Sequence, residues 1–393
     1  MTVKLAVNRR ISGIAAISAL ALTLAACGGG RGGDDPTTPA AADPTTPVTE
    51  TTEDTEGTEP EAPASDLSGT IAGAGASSME KGQNAWVAEF MAANEGVTAS
   101  YDPVGSGGGR TQFIEGTVQY AGSDSIMKPE EIDAAMARCG GSEVIELPLW
   151  LSPIAVAFNL PGVETVNLSP DTLAGIFMGE ITNWNDEAIT ADNEGVDLPD
   201  LQIIPVNRSD KSGTTDNFTD YLEKAAPNVW THEASDVWPI EGTQSGAQTS
   251  GLRQVVASTE GAIGYMDASQ VGDLGTVAVG VGESFVEYSP EAAAKVLEVS
   301  EPTDDATDLR LTYSLARDTT EEGTYPIVLV AYTIACEQYE DANDAELVKS
   351  YLTYVSSPEG QAVAADPEVG GIAPLSDAVR DRVMNAIDQI SAG

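Results

Sequence analysis

The chain has 393 residues, with 62 acids against 18 bases and a single His, for a formal charge of −44. That length is enough for two domains with real cores, and 41% apolar residues is a normal content for a folded chain. The one-sided charge argues against nucleic acid and anionic lipid surfaces as partners, since no Lys/Arg-rich run reverses it locally.

The first 26 residues read as a signal peptide. Lys4, Arg9 and Arg10 form a positive start, and Ile11 to Leu24 is apolar with small residues interspersed. That run is short for a membrane span, and Leu24-Ala25-Ala26-Cys27 has the small residues of a cleavage site. The placement of Cys27 resembles the lipobox of bacterial lipoproteins, which implies an acylated Cys27 as mature N-terminus and a lipid-anchored, extracytoplasmic location. An uncleaved anchor is the alternative. Residues 27–66 then form an acidic tether of Gly, Pro, Thr, Asp and Glu, with ten acids and one base. So few large apolar side chains cannot offset the entropy of ordering it. Residues 67–393 keep a charge of about −38 by the same count.

The folded part opens with a short apolar strand, Gly69 to Gly73. Met79, Trp86, Phe90 and Ala93 then recur at helical spacing, and Val97 to Val104 alternates like a strand. A helix is predicted over Thr111–Val118, a strand at Tyr120–Gly122 and a helix over Glu130–Arg138. Val144 to Asn159 is a long apolar stretch suited to a buried strand. Helix and strand signals alternate through Leu173–Phe177, Ile203–Val206, Phe218–Ala225, Gly251–Ala257 and Ala262–Met266. Tyr325 to Ala335 is a second buried strand, and Ala345–Tyr354 and Asp377–Ile390 are helical. This alternation predicts an α/β fold with mostly parallel sheets.

Three places share one design: a strand, a Gly/Ser/Thr-rich turn, then a helix. They are Gly73 to Ser78, Gly105 to Gly109, and Arg208 to Thr215. Helix starts leave N–H groups unpaired at the positive end of the dipole, and glycine lets a ligand come close. Any one of the three is ordinarily a plain N-cap; together they point to an anion site. None reads as a nucleotide P-loop. Arg208 suits bidentate contact with a phosphate-like group, or else pairs with Asp210. Asp124, in Gly122-Ser123-Asp124-Ser125, is either an N-cap or part of the site.

Cys139 and Cys336 remain after Cys27. In an oxidising compartment an isolated pair reads as a disulfide, with two buried thiols as the alternative. Three cysteines and one His without a CxxC give no case for zinc, and no metal or cofactor is expected. His232 lies outside the Gly/Ser-rich turns and reads as a surface residue, so the sequence offers no nucleophile with a base.

The shared order of GAGASS, VGSGGG, AGSDS, FMGEITNWNDEAI, PVNRSDKSGTT and GAIGYMD resembles the phosphate-binding proteins of bacterial phosphate-specific ABC transporters, over most of 70–390. The resemblance implies a two-domain, type II periplasmic-binding-protein-like Venus flytrap with two interdomain crossover strands. Domain 1 would be 67–152 plus 328–393, and domain 2 would be 153–327, placing Cys139 and Cys336 in one domain. It implies phosphate ligands at Ser77, Ser78 (through its backbone N–H), Ser106, Asp124, Arg208, Ser212, Gly213 and Thr214, with Asp210 pairing Arg208. Permease subunits of an importer are the implied protein partner. Ser78 stands where an aromatic is common in that family, and Gly107 where a second Ser is common. No dependable match covers 270–320. A binding protein for sulfate or molybdate, a secreted phosphatase, and a sensor that has kept the fold are the competing readings. Asp124 argues against the first, because neither ion carries a proton at neutral pH.

Overall fold

The computed structural model describes residues 67–393. The expected signal segment, Cys27 and the tether lie outside the described residues.

The first lobe begins with β1 (Ser68–Gly75), α1 (Glu80–Ala93), β2 (Gly96–Asp102), α2 (Ser106–Ile114), β3 (Tyr120–Ser123) and α3 (Pro129–Arg138). β4 (Val144–Phe158) then runs into the second lobe, buried at all 15 positions. There follow β5 (Thr165–Leu168), α4 (Pro170–Met178), α5 (Glu187–Asp192), β6 (Ile204–Arg208), α6 (Gly213–Ala225), β7 (Gln244–Gly246), α7 (Gln248–Ser258) and β8 (Ala262–Asp267). β9 (Gly275–Val281), β10 (Ser284–Val286), α8 (Pro290–Glu298), β11 (Glu301–Pro302) and β12 (Tyr313–Ser314) complete the excursion. β13 (Val328–Cys336) brings the chain back, and α9 (Ala342–Ser356), α10 (Pro358–Ala365) and α11 (Asp377–Ile387) pack on the first lobe.

The sheet runs β2-β1-β3-β13-β4-β8-β6-β7, with β9 joining β4 to β5 and β10. The expectation of mostly parallel sheets needs correction. β1 pairs in parallel with β2 and β3, and β6 with β7 and β8. At the centre β13 runs antiparallel to both β3 and β4, and β4 antiparallel to β8. The reason is topological. A chain that enters a second lobe and returns crosses the boundary in opposite directions, so its two crossing strands are antiparallel. β4 changes partner where it passes over, from β13 up to Pro153 to β8 from Ile154.

α2 also departs from expectation, starting at Ser106 rather than Thr111 and ending at Ile114. Its glycines look like helix breakers, but Gly107 and Gly109 are where the helix closes on other segments of the chain. A Cβ on Gly109 would lie 2.4 Å from the Cα of Gly75, and one on Gly107 would lie 2.6 Å from the Cβ of Lys211. Close approach overrides helix propensity here.

A strap ties the lobes together beside the crossovers. Between β11 and β12 the chain leaves the second lobe and lies along the first half of β4. Glu146 N donates to Leu309 O and Leu311 N to Glu146 O, both at 2.9 Å. Arg310 Nε is 2.6 Å from the fully buried Glu146 Oε2, and Met127 N donates to Oε1 at 2.9 Å. A few residues on, buried Arg317 holds Asp220 of α6 at 3.0 Å and donates to the Pro326 and Val328 carbonyls.

Cys139 and Cys336 form a disulfide with a Cα–Cα distance of 5.5 Å. It joins the end of α3 to the end of β13, both in the first lobe, across a sequence separation of 197. Closing so long a loop contributes about 5 kcal/mol by the chain-entropy model. Urea unfolding of Cys139→Ala/Cys336→Ala should therefore lose several kcal/mol against the parent; a loss below about 1 kcal/mol would contradict that entropic account.

Candidate functional site

The ends of β1, β3 and β6 and the starts of α2, α6 and α7 meet at one place between the lobes. From the first lobe come Ser77 and Ser78, in a short 3-10 turn before α1, then Ser106 at the start of α2 and Asp124 just after β3. Gly105 allows the tight entry to α2 by taking a φ of +91°. From the second lobe come Arg208 at the end of β6 and Ser212, Gly213 and Thr214 at the start of α6. Ser212 caps α6 by accepting from Thr215 N at 3.2 Å. Apart from Gly213, which has no side chain, each of these residues is a buried polar one.

All of the site residues predicted from the sequence are brought together, and most touch directly. Asp124 is the centre. Ser78 Oγ donates to its Oδ1 at 2.6 Å and Thr214 Oγ1 to its Oδ2 at 2.9 Å, one from each lobe. Its N–H donates to Ser106 Oγ at 3.1 Å, and its carbonyl accepts from Asn217 Nδ2 at 2.7 Å. Gly213 packs so tightly here that a Cβ would lie 2.6 Å from the Cβ of Asp124 and 2.7 Å from Ser106 Oγ. Ser78 thus engages Asp124 through its side chain, beyond the backbone role expected for it.

Arg208 holds Asp210 in a fork, Nε to Oδ1 at 2.9 Å and Nη2 to Oδ2 at 2.5 Å. Burial pulls the Asp210 carboxyl upward, but the Arg208 bonds and charge and the backbone donor of Gln248 outweigh it and leave it below the usual range. Burial pushes the Asp124 carboxyl up, opposed by the Ser78 and Thr214 hydroxyls and by the charges of Arg208 and Arg110.

Two contributors escaped the sequence reading. Thr249, at the start of α7, bonds Ser77 across the cleft and lies within reach of Arg208. The signal was present: Gly242 to Gly251 is a fourth Gly/Ser/Thr-rich turn opening a helix. Arg110, one turn into α2, is buried and bonds Glu131 at 3.0 Å, Ser123 Oγ at 2.9 Å and, in the other lobe, Asp236 at 3.0 Å. Lys81 also reaches across, donating to Ser269 O at 2.6 Å. His232 is half-buried and meets the Trp230 ring edge-on at 5.3 Å. Among the described residues no group of His, Cys, Asp and Glu is arranged to hold a metal ion.

Such an enclosure offers many neutral donors, one guanidinium with unused N–H groups, and one carboxylate. It suits a small anion that can also donate a proton.

Residues 57–359 match a family model described as a PBP superfamily domain. The chain is 33% identical over 323 residues to phosphate-binding protein PstS2 of Mycobacterium bovis, covering 81% of this chain and 86% of that one. It is 31% identical over 281 residues to phosphate-binding protein PstS of Xylella fastidiosa, covering 69% and 73%. In fold it is similar to a phosphate-binding protein from Stenotrophomonas maltophilia, with a TM-score of 0.61 at 19% identity, covering 81% and 94%.

One buried carboxylate sits at the end of β8, beside the crossover. Asp267 accepts from Ser269 N at 3.0 Å and, more distantly, from Trp150 Nε1 at 3.4 Å. Burial pushes it up to about 6, with the Asp124 charge adding to the rise. The folded protein then holds this proton more tightly than the unfolded chain. Its stabilising contribution is complete below about pH 4 and is lost as pH rises through about 6. A carboxyl carbon NMR titration should give Asp267 a midpoint near 6; a midpoint in the ordinary Asp range would refute the assignment.

Proposed function

Because this chain belongs to the PstS family of phosphate-binding proteins, we propose that its interlobe site captures inorganic phosphate outside the cell and delivers it to an ABC importer. It is a binding protein and not an enzyme. The observation that carries this reading is Asp124, a buried carboxylate set among hydroxyl and amide donors from both lobes.

The donors divide the work. Ser77, Ser106 and Ser212 offer hydroxyls; Thr214 gives its own hydroxyl to Asp124 and, with Ser78 and Gly213, offers a backbone N–H at a helix start, where the dipole favours an anion. Arg208 has five N–H groups, of which two bind Asp210 and a third points to Thr249. One N–H on each Nη remains, a pair that matches two oxygens of a tetrahedral ion. Asp210 fixes that orientation.

Asp124 reads the proton. Phosphate near neutral pH keeps one and donates it to the carboxylate. Sulfate has none, so its oxygen meets the carboxylate without a hydrogen between them. The acidic protein can still bind an anion, because distant charges are screened over about 8 Å in physiological salt while the site donors act at contact. The lobes are proposed to be 67–152 with 328–393, and 153–327, closing over the ion by a hinge at the crossovers.

Calorimetry on the full chain should give phosphate an affinity about 10⁴-fold above sulfate, and Asp124→Ala should shrink that ratio. Comparable affinities for the two ions in the parent would sink the phosphate assignment, and an unchanged ratio in the variant would remove Asp124 from its role.

The lipid anchor is a further part of the proposal. Lys4, Arg9 and Arg10, the apolar run and Leu24 to Cys27 support acylation of Cys27. The net charge of the chain would otherwise keep it off an anionic bilayer. Cys27→Ser should move the protein from the membrane fraction to the medium or periplasm; retention in the membrane would count against the anchor.

A further inference from the structure

Ser77 is bonded across the cleft to a residue outside the three turns predicted to bind the anion. Thr249 gives its backbone N–H to Ser77 Oγ at 3.1 Å and places its own Oγ1 2.9 Å from the same oxygen. Arg208 Nη1 lies 3.4 Å from Thr249 Oγ1. All three side chains are buried, with exposures of 1% for Ser77, 1% for Thr249 and 3% for Arg208.

The direction of these bonds follows from what each group can do. A guanidinium only donates, so Thr249 Oγ1 accepts from Arg208 and turns its own proton toward Ser77. Ser77 Oγ then accepts twice, from the N–H and the O–H of Thr249. Both of its lone pairs are used, and its own proton is what it has left to offer. In the opposite arrangement Ser77 would donate to Thr249 and turn a lone pair toward the anion, a repulsive contact.

The start of α7 is itself held in place. Gln248, just before Thr249, is the one non-glycine residue with positive φ among those described, at +60°. Such backbone is strained and persists where its surroundings fix it. Here its N–H donates to Asp210 Oδ1 at 2.9 Å, so one carboxylate anchors both Arg208 and the entry to α7.

We propose that Thr249 is a positioning residue for phosphate: it sets the Ser77 hydroxyl as a donor to the ion, and does so only when the lobes meet. This rests on the phosphate reading above. Thr249 comes from the second lobe and Ser77 from the first, so the hydroxyl is oriented on closure and released on opening. Its effect should fall mainly on the rate at which the ion leaves.

The test compares the full chain with Thr249→Val and Thr249→Ser, by phosphate calorimetry and by stopped-flow dissociation of phosphate. Thermal unfolding without phosphate checks the fold, and Thr249→Ala takes the place of the Val variant if that one fails to fold. Removing the hydroxyl should weaken phosphate binding about 10- to 100-fold, mostly as faster dissociation. Thr249→Ser, which keeps the hydroxyl, should return to within about threefold of the parent. Unchanged affinity in the Val variant, or a loss that Ser does not restore, overturns the proposal while leaving phosphate binding intact. A parent that binds no phosphate overturns the underlying reading and this proposal together.

Discussion

A carboxylate away from water must have its lone pairs met, and Asp124 meets that demand from two sides. Ser78 comes from its own lobe and Thr214 from the other. Neither lobe alone completes the arrangement, so the state in which Asp124 is satisfied is the state in which the lobes touch. The rest of the molecule can be understood as what keeps these two halves within reach. β4 and β13 carry the chain over and back, and the strap at Arg310 adds a third tie beside them. Breaking a buried ion pair such as Glu146 with Arg310 costs about 3–5 kcal/mol.

Tight backbone approaches, rather than long side chains, give the site its smallness. Gly213 sits against Asp124 and Ser106, and Gly105 against the Arg208–Asp210 pair, where a Cβ would come within 2.5 Å of Asp210 Oδ2. The space so made is lined by amides and hydroxyls at helix starts, which act at contact and carry no formal charge. An acidic molecule can therefore hold an anion without a basic patch. Gly107 fits the same logic. The family's common second Ser has no room here, because Lys211 fills the space its Cβ would take.

Much of this was legible in the sequence because it is local. Strand, Gly/Ser-rich turn and helix follow one another within a few residues, so three such turns pointed to Ser77, Ser106, Arg208 and Ser212 from the sequence, while Asp124, outside those turns, was assigned to the site only by the resemblance. The buried crossovers announced themselves as long runs of Val, Ile and Leu. What was missed depends on contacts between distant segments. Nothing near Arg310 in the sequence points to Glu146, 164 residues away, whose carboxylate it holds. The glycines of α2 read as a turn because the strand they pack on is nowhere near them in sequence. Thr249 was overlooked because its turn has no base beside it; its importance comes from Ser77, 172 residues earlier.

The disulfide has a consequence for how the protein meets proteases. Cys139 and Cys336 bracket the whole excursion through the second lobe. A single cut anywhere in that excursion yields two pieces that stay covalently joined, both still rooted in the first lobe. A clipped molecule would therefore migrate as intact on a non-reducing gel and fall into two bands only when a thiol is added. One nick in an exposed loop need not mean loss of the second lobe.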